Sequence, residues 1–460
     1  MSDFDPLFTA DEMRAAEAGH DVDALMERAG AAAAQVALQV FNGAERWTFV
    51  CGGGANGGDG RIAARHLEAA GKLVTIVDAK AGESELGEPH VIVDALFGTG
   101  FAGEPRQDAA ALIERMNKVD APVLAIDLPS GVDASTGEVA TVAVNAAETV
   151  TFHGRKIGLV VSPGRLHAGT IHVADIGLAP GQTGARFATP ALLQTVPRRH
   201  EGDNKYTAGH VLVVGGSRGL TGAPSLSALA AMRADAGYVT VAAPESAMAV
   251  LEERLVEAVK RPLPDEGGVV APGAAAIVRE LAAKASAVAL GPGLGRGPGP
   301  HELVRELATT LELPMVIDAD ALFELEPAAW PAPRVLTPHE GELARLLGRE
   351  SRDVSAHRIA SVRDAAARFG CVVMLKGQDT LVAEPGRDLL VSALGLPSLA
   401  TAGTGDVLTG VIAAFLAKGM DAQLAAVAGA AAQQRASVEA EQRTGLIASD
   451  VVEALPRALS

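Results

Sequence analysis

Short apolar runs alternate with helix-length, Ala-rich segments along nearly the whole chain, and this alternation restricts the fold more than any single motif does. In the first half the runs are WTFVC from Trp47, LVTIVD from Leu73, HVIVDAL from His90 and PVLAIDLP from Pro122, separated by segments such as 61–70 and 109–118. Parallel strands cannot be joined by a tight hairpin, so helices connect them and cover both faces of the sheet. ETVTF, GLVVS and GTIHVADIG, from Glu148 to Gly177, predict a finish of short strands. Residues 177–199 are rich in Pro, Gly and Thr, lack periodicity and read as an interdomain connection. The pattern then restarts with HVLVVGG, YVTVAA, SAVALG, PMVIDAD, RVLTP and CVVMLK, and ends in Ala-rich helical stretches from Asp406 onward. The expectation is two α/β domains, residues 1–186 and 187–460, the first a Rossmann-like three-layer αβα domain.

Composition narrows the partners. The formal net charge of −17 argues against nucleic acid or an anionic membrane as the main partner, so a polyanionic small ligand must be held by local donors. Aromatic residues are 3%, which leaves the cores to Ala, Val, Leu and Ile. Cys51 and Cys371 are too few and too separated for a zinc pattern and read as buried thiols in a reducing compartment. The start MSDFDPLFTADEM has no basic and apolar leader, and the long apolar run near Val411 is broken by Lys418 and Asp421. A cytoplasmic protein is expected, together with a homo-oligomeric state.

In the second half, ATAGTGDVLTGVIAAFLAKG runs from Ala400 to Gly419, with Gly403, Gly405 and Gly410 around the start of an apolar helix. A helix N-terminus offers free N–H groups and a positive dipole end to a phosphate, and Asp406 there could take a proton from an attacking hydroxyl. The plainer reading makes Asp406 a helix cap. Its company favours chemistry: Lys376–Thr380 (KGQDT) follows CVVMLK, TPHEGE from Thr337 follows RVLTP, and GPGLGRGPG from Gly291 follows SAVALG. Each cluster lies at the C-terminal end of a predicted parallel strand, where open α/β sheets bind ligands.

With DNKYTAGHVLVVGGS near Lys205, TGAPSLSALAAMRADAGYVTV near Ala223, and DADAL, these motifs make the chain from about Pro190 onward resemble the ribokinase-like domain of the NAD(P)H-hydrate dehydratase family. The resemblance implies dehydration of nicotinamide cofactors hydrated at C6 (NADHX and NADPHX). The C6 hydroxyl is phosphorylated from ADP or ATP, with magnesium, and phosphate is then eliminated. It implies Asp406 as the base, Ala223, Gly293 and His339 on the hydrate, and Lys376, Gly377, Gln378, Asp379, Thr380 and Gly405 on the nucleotide. His339 taken alone reads as a loop histidine. Ala402 stands where the family commonly has glycine.

In the first half, CGGGANGGDGRIAARHL from Cys51 follows a strand and opens a helix. Gly52, Gly54 and Gly57 spell GxGxxG and Asp78 ends the next strand, which suits a Rossmann site for intact NAD. Asn56 and Asp59 inside the loop, DALFGTGFAGE from Asp94 and AIDLPSGVD from Ala125 compete with that reading. Asn56, Asp94 and Ser130 are hard oxygen ligands at neighbouring strand ends that could converge on a cation, though each alone is a turn or cap residue. Asp127, ending an apolar strand, is expected to have a shifted pKa and to act in catalysis.

From DEMRAAEAG to about Gly177 the chain resembles the NAD(P)H-hydrate epimerase domain, which interconverts the R and S forms at C6. The resemblance implies a potassium ion on Asn56, Asp94 and Ser130. It places the hydrate on Ala55, Asn56, Gly57, Gly58 and Asp59, on Gly98, Thr99, Gly100, Phe101, Ala102, Gly103 and Glu104, and on Asp127. The family usually reads NNGGD, and here the first Asn is Ala55. The resulting expectation is a bifunctional repair enzyme. The alternatives are a small-molecule kinase fused to an NAD-binding domain, and an N-terminal scaffold or sensor without catalysis.

Overall fold

The strand Arg46–Cys51 carries Trp47, Phe49 and Cys51 on one face and Thr48 and Val50 on the other, all five buried. A strand buried on both faces must sit between two helical layers. Trp47, Phe49 and Cys51 join a core with Leu25, Ala29 and Ala33 of helix Val22–Val40 and Ala63 and Leu67 of helix Ala55–Ala69. Val50 joins a second core on the opposite face with Leu112, Ile113 and Met116 of helix Gln107–Met116. The computed structural model describes residues 2–81, 85–393 and 395–460, which divide into two compact units: Pro6–Arg186, and Phe187–Ser460 with residues 2–5. Residues 2–5 go with the second unit because Thr189 hydrogen-bonds to the carbonyls of Asp3 (3.0 Å) and Ser2 (2.6 Å).

The first unit is a Rossmann-like αβα layer structure on a six-stranded, fully parallel sheet. Across it the strands run Leu73–Asp78, Arg46–Cys51, Val91–Ala95, Val123–Ile126, Glu148–Phe152 and Thr170–Ala174. The expected strand at GLVVS does not form. Residues Ile157–Leu159 make a 3₁₀ turn whose surroundings bond to a loop instead of a ladder: Gly158 N–H donates to Ala134 O (2.9 Å) and Gly164 N–H to Gly137 O (2.7 Å). Its apolar residues are buried by that loop, so apolarity alone misread it as a strand.

The second unit has a sheet in the order Val259–Leu263, Tyr238–Pro244, His210–Val214, Ala287–Leu290, Met315–Ile317, Arg334–Leu336, Val372–Leu375, Thr380–Ala383, Leu389–Ser392. The pairings are parallel up to Val372–Leu375, and the last two strands are antiparallel. The strand patterning above does not include Val259–Leu263, whose Lys260, Arg261 and Pro262 are edge-strand chemistry rather than an apolar run. Helix Thr404–Ala417 is buried nearly all round and crosses helix Gly222–Arg233 closely: a Cβ on Gly410 would lie 2.1 Å from Ser227 O. Ala-lined faces permit such crossings, which is how a chain poor in aromatics fills its core. Among the described residues no helix is long and apolar enough to cross a membrane.

Candidate active sites

Strand Val91–Ala95 carries Asp94 one residue before its end, fully buried, and burial pushes its carboxyl up to about 6 against the pull of its hydrogen bonds. The Ser130 hydroxyl (2.6 Å), Ser130 N–H (2.7 Å) and Leu96 N–H (3.2 Å) donate to it. Asn56, in the first turn of helix Ala55–Ala69, donates Nδ2 to Phe97 O (2.8 Å), and Phe97 N–H donates to Ser130 Oγ (2.9 Å). Asn56 Oδ1 is buried and has no partner among the described residues. The three residues expected at a cation are therefore gathered around the Phe97 backbone, with one amide oxygen unsatisfied.

Asp127 lies one strand over, buried and at φ 68°, a left-handed backbone rarely adopted outside glycine. Such strain persists when the surroundings over-determine it. Thr99 N–H (2.8 Å) and the Thr99 hydroxyl donate to Asp127 Oδ2, and the Lys156 ammonium sits 2.7 Å from Oδ1. Lys156 is 1% exposed and also bonds Thr151 Oγ1 (2.9 Å) and Phe152 O (3.0 Å). Burial raises the Asp127 pKa, but Lys156 and Thr99 outweigh it and hold the carboxyl below the usual range. Asp59 is the converse: burial, then the charges of Asp127 and Glu17, push it up to about 8 against Lys156.

These groups face one cavity of about 1300 Å³ within the first unit. Every residue expected on the hydrate there lines it except Gly57, Gly58 and Gly103. Gly57 and Gly58 serve packing instead: a Cβ would lie 1.9 Å from Gly52 O and 2.5 Å from Met26 Sδ, respectively. Asp78 is committed to the loop through Arg61 (2.8 Å) and Lys80 N–H (2.9 Å), a local role in place of a ribose contact.

In the second unit the C-terminal strand ends converge on helix Thr404–Ala417. Asp406 lies half-buried in its first turn; burial, then the Asp318 charge, push its carboxyl up to about 7, opposed by Lys376. Asp318, 1% exposed, follows Met315–Ile317 and accepts from Lys376 Nζ (2.7 Å) and the Thr409 hydroxyl (2.7 Å). Burial works against the Lys376 charge, but Asp318 and Glu342 raise its pKa overall. A Cβ on Gly405 would lie 3.5 Å from Lys376 Nζ, so the glycine opens the helix end beside this pair. Gly293, at φ 62°, abuts Ala223, with 3.2 Å between its would-be Cβ and that of Ala223.

Sequence comparison places this geometry. The chain is 36% identical to the bifunctional NAD(P)H-hydrate repair enzyme of Moorella thermoacetica over 95% of this chain and 92% of that protein. It is 38% identical to that of Pyrobaculum aerophilum, over 95% and 93% respectively. It belongs to the family of bifunctional NAD(P)H-hydrate repair enzymes. The family model described as NAD(P)H-hydrate dehydratase matches residues 211–457, and that described as YjeF-related protein N-terminus matches 22–86 and 74–158. The second unit is also similar to the ADP/ATP-dependent NAD(P)H-hydrate dehydratase of Bacillus subtilis, co-crystallised with ATP/Mg2+. That likeness has 27% identity and a TM-score of 0.52, covering 59% of this chain and 96% of that one. As a repair enzyme of this family the chain joins an epimerase half to a dehydratase half.

Asp379 and Thr380 are buried, and Asp379 lies 3.3 Å from Arg358 Nε, so only Lys376, Gly377 and Gln378 leave that loop accessible. His339 caps helix Glu340–Leu347 through Nδ1, which accepts from Gly341 N–H (3.0 Å) and Glu342 N–H (3.4 Å). Asp127 does have a perturbed pKa, but lowered, and Asp59 is the carboxyl held near neutrality. Lys156, Glu17, Asp318 and Thr409 were not singled out from the sequence. DADAL and TPHEGE flagged the Asp318 and Glu342 neighbourhoods, whereas nothing local marks Lys156.

Proposed function

We propose that the first unit interconverts the R and S epimers of NADHX and NADPHX at C6. The second unit dehydrates the S form to NADH or NADPH with ADP or ATP as phosphoryl donor. The observation that carries the second role is Asp406, a half-buried carboxyl near neutrality at a helix N-terminus beside the Asp318–Lys376 pair. Asp406 takes the C6 hydroxyl proton as that oxygen attacks the nucleotide's terminal phosphate, and AMP or ADP leaves. The helix N-terminus, opened by Gly405, stabilises charge building on the phosphate. Phosphate then leaves C6 and a proton leaves C5, restoring the C5=C6 double bond. Lys376, Gly377 and Gln378 face the nucleotide; Ala223 and Gly293 pack against the hydrate, and His339 shapes the rim.

Asn56 Oδ1, Asp94 and Ser130 fit a potassium ion, since a buried amide oxygen without a donor and a single carboxylate suit a hard monovalent cation. The ion would orient polar groups of the hydrate. Magnesium would arrive with the nucleotide phosphates. A cytoplasmic setting agrees with Cys51 and Cys371 being free and buried. The test is to incubate mixed NADHX epimers with ADP or ATP and follow reduced-nicotinamide absorbance. Full recovery supports both activities, half recovery the dehydratase alone, and accumulation of a phosphorylated product would favour a kinase.

A further inference from the structure

Of the carboxylates that line the cavity of the first unit, Glu17, Asp59 and Asp127 act on one another's charge, but they are served unequally. The buried cation Lys156 sits on Asp127, which also accepts from Thr99 and Thr151. Asp59, in the second turn of helix Ala55–Ala69, has no hydrogen-bond partner on its carboxyl among the described residues and faces the cavity. Two nearby carboxyls whose surroundings push them apart divide acid and base labour. Asp127 is held as the anion. Asp59 keeps its proton, because burial and the charges of Asp127 and Glu17 outweigh Lys156.

We propose that Asp59 is the general acid of the epimerase and that inversion proceeds by exchange of the C6 hydroxyl with water. The proposal rests on this cavity binding the hydrate. The Asp59 carboxyl gives its proton to the C6 hydroxyl oxygen. The C6–O bond breaks with its electron pair leaving on water, and the N1 lone pair forms an N1=C6 bond. The cyclic iminium lies in a cavity that holds the Asp127 carboxylate, which stabilises positive charge. A second water adds to the opposite face of C6, its electron pair returning the N1=C6 pair to nitrogen. Its extra proton passes to solvent, from which Asp59 is reprotonated. The competing route opens the ring at N1–C6 and leaves the original oxygen on carbon.

The experiment uses the full chain without nucleotide, one purified NADHX epimer and ¹⁸O-labelled water, with a no-enzyme control. The expected result is one ¹⁸O in each inverted molecule and none in uninverted substrate at early times. Asp59→Asn should lower epimerisation by about 100-fold or more, with Asp59→Glu recovering part of it, while ADP-dependent dehydration of the S form is unchanged. Inverted product that retains ¹⁶O, or an Asp59→Asn enzyme near the parent rate, overturns the proposal. Failure of the parent enzyme to speed inversion at all would overturn instead the epimerase reading on which it rests.

Discussion

Replacing Asp406 by Asn should stop dehydration and, at alkaline pH, stabilise the second unit. The substitution keeps side-chain size, and the Asp406 carbonyl still accepts from the Ser227 hydroxyl at 2.8 Å, so the helix start is preserved. A positioned base contributes ~10²–10⁴-fold, which sets the expected loss of turnover at about two orders of magnitude or more. The stability effect follows from the carboxyl's pKa, raised from 3.8 to about 7. Below the ordinary value both folded and unfolded chains carry the proton, and the group contributes nothing. Between the two values the unfolded chain ionises first, so stability falls as pH rises, and the whole loss is present above the folded value. Roughly three pKa units correspond to about 4 kcal/mol. Solvent reaching the half-buried group screens part of it, leaving a gain of ~2 kcal/mol for the Asn variant. That corresponds to a rise of about 5 °C in the thermal transition. Scanning calorimetry at alkaline and at acidic pH reads the difference, which should vanish in acid; coupled absorbance reads turnover, and nucleotide binding should persist. Near-normal turnover, or lower stability at alkaline pH, would refute the assignment and leave Asp406 a first-turn acidic residue of the helix.

Dehydration by the unmodified enzyme should rise with pH through about 7 to a plateau, because Asp406 must be ionised to accept the proton; a flat kcat/KM profile across that range counts against it. Lys156→Met strands the Asp127 charge in the core and should cost the first unit about 3–5 kcal/mol, whereas adding Asp127→Asn should recover much of this; denaturant titration of both variants decides. Ala55 is exposed on the cavity rim, so Ala55→Asn should hold epimerisation or improve it by roughly two- to tenfold, the worth of one neutral hydrogen bond. A large loss would mean that the loop differs in geometry from the one the family resemblance implies.

What could be read along the chain is what local chemistry determines. Apolar alternation specified two parallel-sheet domains, loops directly after strands marked the ends where Asn56, Thr99, Asp127, Gly293 and Lys376 sit, and the GTGD turn marked the helix start that carries Asp406. Strand, loop and helix start are adjacent in sequence, so their motifs survive without knowledge of distant contacts. The failures have the same cause in reverse. GLVVS is apolar because a loop buries it, not because it joins a ladder, and Gly57 and Gly58 are small because neighbouring segments press on them. Charge state was decided by the tertiary structure alone. Lys156 reaches Asp127 from a remote segment and lowers its proton affinity, and Lys376 reaches Asp318, while burial raises Asp59 and Asp406, which have no such direct ion pair among the described residues. A proton's free energy at a carboxyl depends on the dielectric and on charges within a few ångströms, and those are set by which strands lie side by side, not by which residues are consecutive.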